Sequence, residues 1–343
     1  MITMYHGCLA MKTWFEVILH GSVEVQLKAV AEAAMNKIKE LESHFSPYFP
    51  DSELNIVNKR AAVEPVIVSE EFLNVLEFCG KAWNVTKGAF DASIGGLVQA
   101  WIESRLSKCA SDPEVLRAWV DSVGWGKVKI DRSKRTVHFE SEKLQIDLSA
   151  IRKGYTLDQL VPIIRSAGIK SALLHGGGRT IWCFGKSPAG TPWRVGVRFP
   201  MAKAPGEGNL TAQVLVYLPP RHMEDVDNPN WVRAQKLLAV MEVSDAALSV
   251  SLTGLEDESA TNGSCGKIVS PRTGRPVDGL RLCVVTADSA AMADAVSTGL
   301  MVMEPEEAQE VINTLPIREA YILKNKQGEW GSMPVLERLV PNQ

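Results

Sequence analysis

The stretch "KVKIDRSKRTVHFE" (127–140) decides how the chain folds, because the period of its apolar residues changes there. Val128 and Ile130 alternate with charged residues, and Val137 and Phe139 repeat the alternation after the polar turn "DRSKR". Residues two apart share one face of a strand, so the pattern predicts a β-hairpin. The residues before it follow a helical rule. In "VQLKAVAEAAMNKIKELESHF" (25–45), Leu27, Val30, Ala34, Ile38, Leu41 and Phe45 recur at steps of three and four, which predicts an amphipathic helix after a short opening strand. Further helices are expected at "SEEFLNVLEFCGKAWNVT" (69–86) and at "DPEVLRAWVDSVG" (112–124), where Asp112 can cap and Pro113 takes the first helical position.

After the hairpin the chain is mostly strand-like, at "LQIDL", "KSALLH", "WRVGVRF", "AQVLVYL", "KLLAVMEV" and "LRLCVVTA", with helices expected over 149–167 and 289–314. Strands come in adjacent pairs and helices alternate with them irregularly. That order predicts an α+β layered fold with mixed, largely antiparallel sheets rather than a doubly wound parallel sheet. "SPYFPDSEL" (46–54) reads as a turn, and "FPMAKAPGEGN" (199–209) and "PPRHMEDVDNPN" (219–230) as loops within one unit.

The 343 residues, 45% of them apolar, can bury one large core or two joined lobes, since single cores stop growing at about 250–300 residues. A net charge of −3 from 37 basic and 40 acidic residues, without blocks of one sign, leaves no footprint for nucleic acid or an anionic membrane. The six cysteines are scattered, which supports neither zinc nor a disulfide framework. The opening residues hold no apolar run of leader or anchor length, so the chain reads as cytoplasmic.

Five stretches can carry chemistry. In "SAAMADAVSTGLMVM" (289–303), Asp294 and Thr298 are four apart and share a helix face, where their oxygens can converge on a hard cation. Taken alone, the pair fits better a buried cap and a hydroxyl bonded to its own helix. "TKGAFDASIGGLVQAW" (86–101) offers Phe90 as a stacking face and Asp91 as an acceptor among glycines, or a plain helix end and turn. "LQIDLSAIRKGYTLDQL" (144–160) runs from strand into helix with Ser149 as a cap and Lys153 one turn in, which is either a phosphate site or a solvated lysine. The turns "LLHGGGRT" (173–180) and "GKIVSPRTGRPV" (266–277) admit a close backbone approach or plain bulges and surface turns.

Their order says more than any one of them. "SPYFPDSEL", "GAFDASIGGLVQAW", "IDLSAIRKGYTLD", "SPRTGRPV" and "MADAVSTGLMVM" together resemble the FAD:protein FMN transferase family, the ApbE-like proteins, from about Met11 to about Val302. The resemblance implies one catalytic domain over residues 8–335 with terminal extensions at 1–7 and 336–343, and two lobes around a flavin site; the charge pattern adds no membrane partner. It implies Mg2+-dependent transfer of FMN from FAD to a Thr or Ser hydroxyl of an acceptor flavoprotein, with release of AMP. The metal would be held by Asp294, Thr298 and the carbonyl of Ala150. FAD contacts would come from Met11 in "MKTW", from Tyr48, and from Ala89, Phe90 and Asp91, completed by Asp147, Lys153 and the backbone at Ile268. A FAD carrier without transfer activity, or a FAD pyrophosphatase, is the alternative.

The chain departs from the family pattern where catalysis is concerned. "GKIVSP" places Lys267 where the family has a histidine and Ser270 where it has an aspartate, so no catalytic residue is assigned. A lysine acts as a base only if its pKa falls far below the usual value of about 10.4; otherwise it can bind phosphate. "SVSL" stands for A-T-S-G, and "GGGRT" brings Arg179 to the G-G-[DN] turn.

Overall fold

The described residues of the computed structural model are 1–106, 113–198, 215–217, 237–253, 268–277, 281–324 and 335–339. The chain opens with a hairpin where the sequence predicts a single short strand. β1 (Ile2–Ala10) pairs antiparallel with β2 (Thr13–Gly21), from Ile2↔Gly21 to Ala10↔Thr13. Then come α1 (Glu24–Phe45), α2 (Glu53–Arg60), β3 (Val66–Ile67), α3 (Glu70–Val85), α4 (Gly95–Leu106) and α5 (Pro113–Val120). The hairpin β4 (Val128–Asp131) and β5 (Thr136–Phe139) leads to α6 (Arg152–Ser166). β6 (Ser171–Gly176), β7 (Thr180–Gly185), β8 (Trp193–Arg198), β9 (Leu215–Tyr217), β10 (Leu237–Val243), β11 (Ala246–Thr253) and β12 (Arg281–Ala287) follow. The chain ends with α7 (Ala290–Val302), α8 (Pro305–Ile312), β13 (Glu319–Lys324) and β14 (Val335–Arg338).

The fold is α+β, and the ladders between its named strands are antiparallel. Eight strands form one sheet in the order β1-β2-β6-β7-β11-β12-β13-β14; β10-β8-β9 and β3-β5-β4 form two small ones. The large sheet takes in residues of both stretches, 1–7 and 336–343, that the sequence assigns to terminal extensions.

Strand alternation builds two cores, one on each face of the large sheet. On β2, Phe15, Val17 and Leu19 meet Leu27, Val30, Ile38 and Leu41 of α1, the stripe predicted from sequence. Ile18, between them, faces Trp193, Val195 and Met241 of the small sheet. Each such side chain is worth roughly 1.5–3 kcal/mol when fully buried, so the stripe rather than helix propensity holds α1 in place. On β11, Leu248, Val250 and Leu252 belong to the small-sheet core, which turns Ser249 and Ser251 toward the helices.

The hairpin at 128–139 has the predicted register, with Val128↔Phe139 and Ile130↔Val137 opposite each other. Three expectations need correction. "LQIDL" is not a ladder strand: Gln145 makes only an isolated bridge to Ile94, while the Asn58 side chain holds the Ile146 backbone at 2.7 and 2.9 Å. The expected helix over 289–314 is two helices, because Pro305 takes the first position of α8 and holds Glu304 extended. α2 begins at Glu53, inside the end of the segment read as a turn, with Ser52 accepting the Asn55 N–H as its cap. Among the described residues no helix is long and apolar enough to cross a membrane.

Candidate functional site

α6 and α7 cross at Gly154, where an added Cβ would lie 2.3 Å from the Ala290 carbonyl oxygen. No larger residue fits without moving backbone. Next to the crossing, a cavity of about 270 Å³ opens between the start of α6, the ends of β6–β7 and β11, and the helix face carrying Asp294 and Thr298. Ala89, Phe90, Asp91 and Asp147 line it on one side; Ala150, Lys153, Ile268, Asp294 and Thr298 line the rest. These residues come from four separated stretches of sequence.

Met11 and Tyr48 are not in the lining. Met11 sits in the β1–β2 turn, 2% exposed, with its N–H donated to Glu42 Oε1 at 2.5 Å and its carbonyl accepting from Arg152. Tyr48 is half exposed, and the Lys12 ammonium lies 3.4 Å from its ring centroid. Lys267 lies outside the described residues, as do Asp112 and both long loops.

Asp294 is the centre of the polar network. Its Oδ1 accepts the Thr180 and Ser249 hydroxyls at 2.8 and 2.5 Å, and its Oδ2 accepts the Gly154 N–H at 2.8 Å. Burial raises its pKa to about 6, against the opposing pull of Lys153 and these donors. Burial likewise lowers the Lys153 ammonium, while Asp294 supports its charge. The Thr298 hydroxyl shares a hydrogen bond with Ser251 at 3.1 Å, which fixes it on the same helix face one turn from Asp294.

The start of α6 differs from the sequence expectation. Its N-cap is Ile151, without a side-chain bond, and Ser149 instead donates its N–H to Asp147 Oδ1 at 2.7 Å. Ser149 does not cap because the N–H groups within its reach, those of Ile151 and Arg152, are bonded to the Leu148 carbonyl and the helix starts only at Arg152; the third N–H of the helix, that of Gly154, is taken by Asp294 from α7. The junction is therefore not a free anion cradle there; Lys153 supplies the positive charge that faces the cavity.

Phe90 lines the cavity but is only 2% exposed and packs into the main core. Asp91 is buried, and burial raises its pKa although Ser93 donates both N–H and O–H to Oδ1. Ser270, at the expected aspartate position, accepts the Arg272 and Thr273 N–H groups inside a rigid turn. That turn is tied to α8 by Arg272 and Glu307, two contacts of 2.7 Å.

Thr180, Ser249, Ser251 and Arg179 also line the cavity and were not among the site residues read from sequence. The alternation Ser249-Val250-Ser251 carried a signal, two hydroxyls on one face of a strand; nothing in sequence said which face. The oxygen-rich set of Asp294, Thr298 and the Ala150 carbonyl suits a hard cation such as Mg2+, which takes one or two carboxylates plus water and substrate oxygens. A group of three or more His, Cys, Asp or Glu with metal-binding geometry is absent among the described residues. Mg2+ sites do not need one.

The ApbE family model matches residues 11–322. The FAD:protein FMN transferase of Vibrio cholerae serotype O1 is 27% identical over 295 residues, 85% of this chain and 78% of the relative. That of Escherichia coli K12 is 24% identical over 316 residues, 91% of this chain and 81% of the relative. Among solved structures, the flavin transferase ApbE from Vibrio cholerae superposes with a TM-score of 0.72 at 24% identity, covering 95% and 94% of the two chains. The ApbE protein of Thermotoga maritima gives 0.70 at 21% identity, covering 98% and 97%. At these identities the superpositions establish the fold.

Proposed function

The chain belongs to the ApbE family, and on that premise we propose that it is an FAD:protein FMN transferase that uses Mg2+ and attaches FMN to a Thr or Ser hydroxyl of an acceptor flavoprotein. The observation that carries the reading is the buried Asp294, beside Lys153 and one turn from Thr298, on the wall of a single cavity. Asp294, Thr298 and the Ala150 carbonyl would hold the metal, which when bound would supply charge neutralisation at the pyrophosphate. In the transfer, the acceptor hydroxyl oxygen bonds to the FMN phosphorus and loses its proton, and the P–O bond to AMP breaks with the bridging oxygen leaving on AMP.

The chain's own residues position and neutralise. Lys153 faces the charge that gathers on the phosphates, and its partly desolvated setting strengthens that interaction. Asp147 and Asp91 present carboxylates for the hydroxyl and amide groups of the dinucleotide. Thr180 and Ser249 hold the Asp294 carboxylate in one orientation, so little reorganisation remains when the substrate arrives.

The reading is tested by incubating the protein with FAD and Mg2+, with and without an acceptor flavoprotein. AMP that appears only with the acceptor supports transfer. AMP released equally without it identifies a FAD pyrophosphatase, and FAD bound with no AMP in either case identifies a carrier; both results contradict the proposal.

A further inference from the structure

Among the described residues, one cation on the cavity wall has no carboxylate to answer it. Arg179 follows the Gly177–Gly178 turn, whose residues take φ of 66° and 64°, and its carbonyl accepts the Val250 N–H at 2.9 Å. Its backbone is thus fixed between β7 and β11, immediately before Thr180, the residue that donates to Asp294. Among the described residues its guanidinium forms no ion pair, whereas Arg272 and Arg318 each hold a carboxylate at 2.7 Å. Burial is the cause that lowers its pKa, and no acid among the described residues pulls it back.

Its charge also reaches Lys153, whose pKa it lowers further. Asp294 supports the lysine; among the described residues no comparable group supports the arginine. Two like charges on one desolvated wall repel each other, and both become favourable when a multiply charged anion enters between them. The planar guanidinium offers five donors in a fork that matches two phosphate oxygens, and it gives up its water more readily than an ammonium does.

We propose that Arg179 is a phosphate-binding residue of this cavity, pairing with Lys153 across two linked phosphates, so that the site selects diphosphate ligands over ligands that lack them. The identity of that diphosphate as FAD rests on the function proposed above; the diphosphate chemistry does not. The two can fail separately.

The experiment measures binding of inorganic pyrophosphate, FAD and riboflavin by calorimetry, with the wild type, Arg179→Met and Arg179→Lys, together with thermal melts. Arg179→Met should weaken pyrophosphate and FAD by roughly ten- to a hundredfold, the loss of a charge-assisted bidentate contact. Riboflavin binding and Tm should be unchanged or improved, since a partly buried charge with no carboxylate partner among the described residues is gone, and Arg179→Lys should recover part of the loss. Unchanged pyrophosphate and FAD binding in a folded Arg179→Met overturns the inference, as does an equal loss for riboflavin, which marks a structural role. Should Arg179→Met fail to fold, Arg179→Lys decides: wild-type affinity for pyrophosphate and FAD overturns the bidentate role, and an intermediate loss supports it. Wild type that binds pyrophosphate but not FAD sinks the flavin reading and leaves this one standing.

Discussion

Asp294 of α7 accepts the Gly154 N–H in the first turn of α6 at 2.8 Å, and the relationship is reciprocal. From α6, Asp158 accepts the Ala290 and Ala291 N–H groups at 2.8 and 3.0 Å and the Ser289 hydroxyl at 2.6 Å, at the start of α7. Each helix supplies the acid that satisfies the other's unpaired N-terminal donors and its positive dipole end. Asp294 is therefore part of the frame as well as of the site, and substitutions there have two separable effects.

Asp294→Ala should cost about 3–5 kcal/mol of stability, because it strands buried donors and leaves Lys153 without its counter-charge. Asp294→Asn retains an acceptor for Gly154 and a group for the Thr180 and Ser249 hydroxyls, so its loss should be smaller. Both should abolish stabilisation by Mg2+. Urea denaturation with and without Mg2+ measures the two effects together; an Asp294→Ala protein that is as stable as the wild type contradicts the capping role.

Gly154→Ala should destabilise by about 1–3 kcal/mol or more, since the new methyl meets the Ala290 and Ala291 backbone rather than a movable side chain. A thermal melt checks it. An unchanged Tm would show that the helices separate freely at their crossing.

The pH dependence has a definite sign. The folded-state pKa of Asp294, raised from 3.8 to about 6, means the metal-free fold binds this proton more tightly than the unfolded chain does. Its contribution is complete below the ordinary carboxylate pKa and is lost as pH rises through about 6, a total of about 3 kcal/mol. Metal-free stability should therefore fall across that window, and Asp294→Asn should flatten the fall. Mg2+ competes with the proton, so its stabilising effect should be weak at pH 5 and strong at pH 7. Equal Mg2+ effects at both values would contradict Asp294 as a ligand.

Much of this frame was legible in the sequence because single elements carried it. The apolar stripe of α1 and the alternation around 128–139 each report on one element's own periodicity, and both hold. What failed depended on partners far away in the chain. "LQIDL" has a strand's composition, but Asn58 and the 92–95 backbone take its hydrogen bonds, so it never joins a ladder. Ser149 had a cap's composition, but the Leu148 carbonyl takes the N–H groups it would have held, and the Gly154 N–H goes to Asp294, 140 residues further along. The site shows the same division: Asp294, Thr298 and Lys153 stand in recognisable blocks, whereas Thr180 and Ser249 become visible only once β7 and β11 lie side by side beneath α7.

The turn between β1 and β2 puts both of its residues, Met11 and Lys12, at positive φ, 53° and 59°. Two-residue hairpins of this kind favour Asn-Gly, and an L side chain costs about 1–2 kcal/mol in the left-handed region. Lys12 offsets part of this through its contact with Tyr48, worth about 0.5–1 kcal/mol. Lys12→Gly should therefore be neutral to about 1 kcal/mol stabilising by urea denaturation. A loss of more than that would show that the Lys12 contact with Tyr48 outweighs the strain.

The central claim is that this cavity moves FMN to a protein hydroxyl, and intact mass spectrometry of an acceptor flavoprotein tests it most directly. After incubation with the protein, FAD and Mg2+, the acceptor should gain the mass of one FMN less one water. Lys153→Ala should make that gain much slower, and replacing the target Thr or Ser by Ala should abolish it. An acceptor of unchanged mass, with FAD bound and Mg2+ present, would contradict the account.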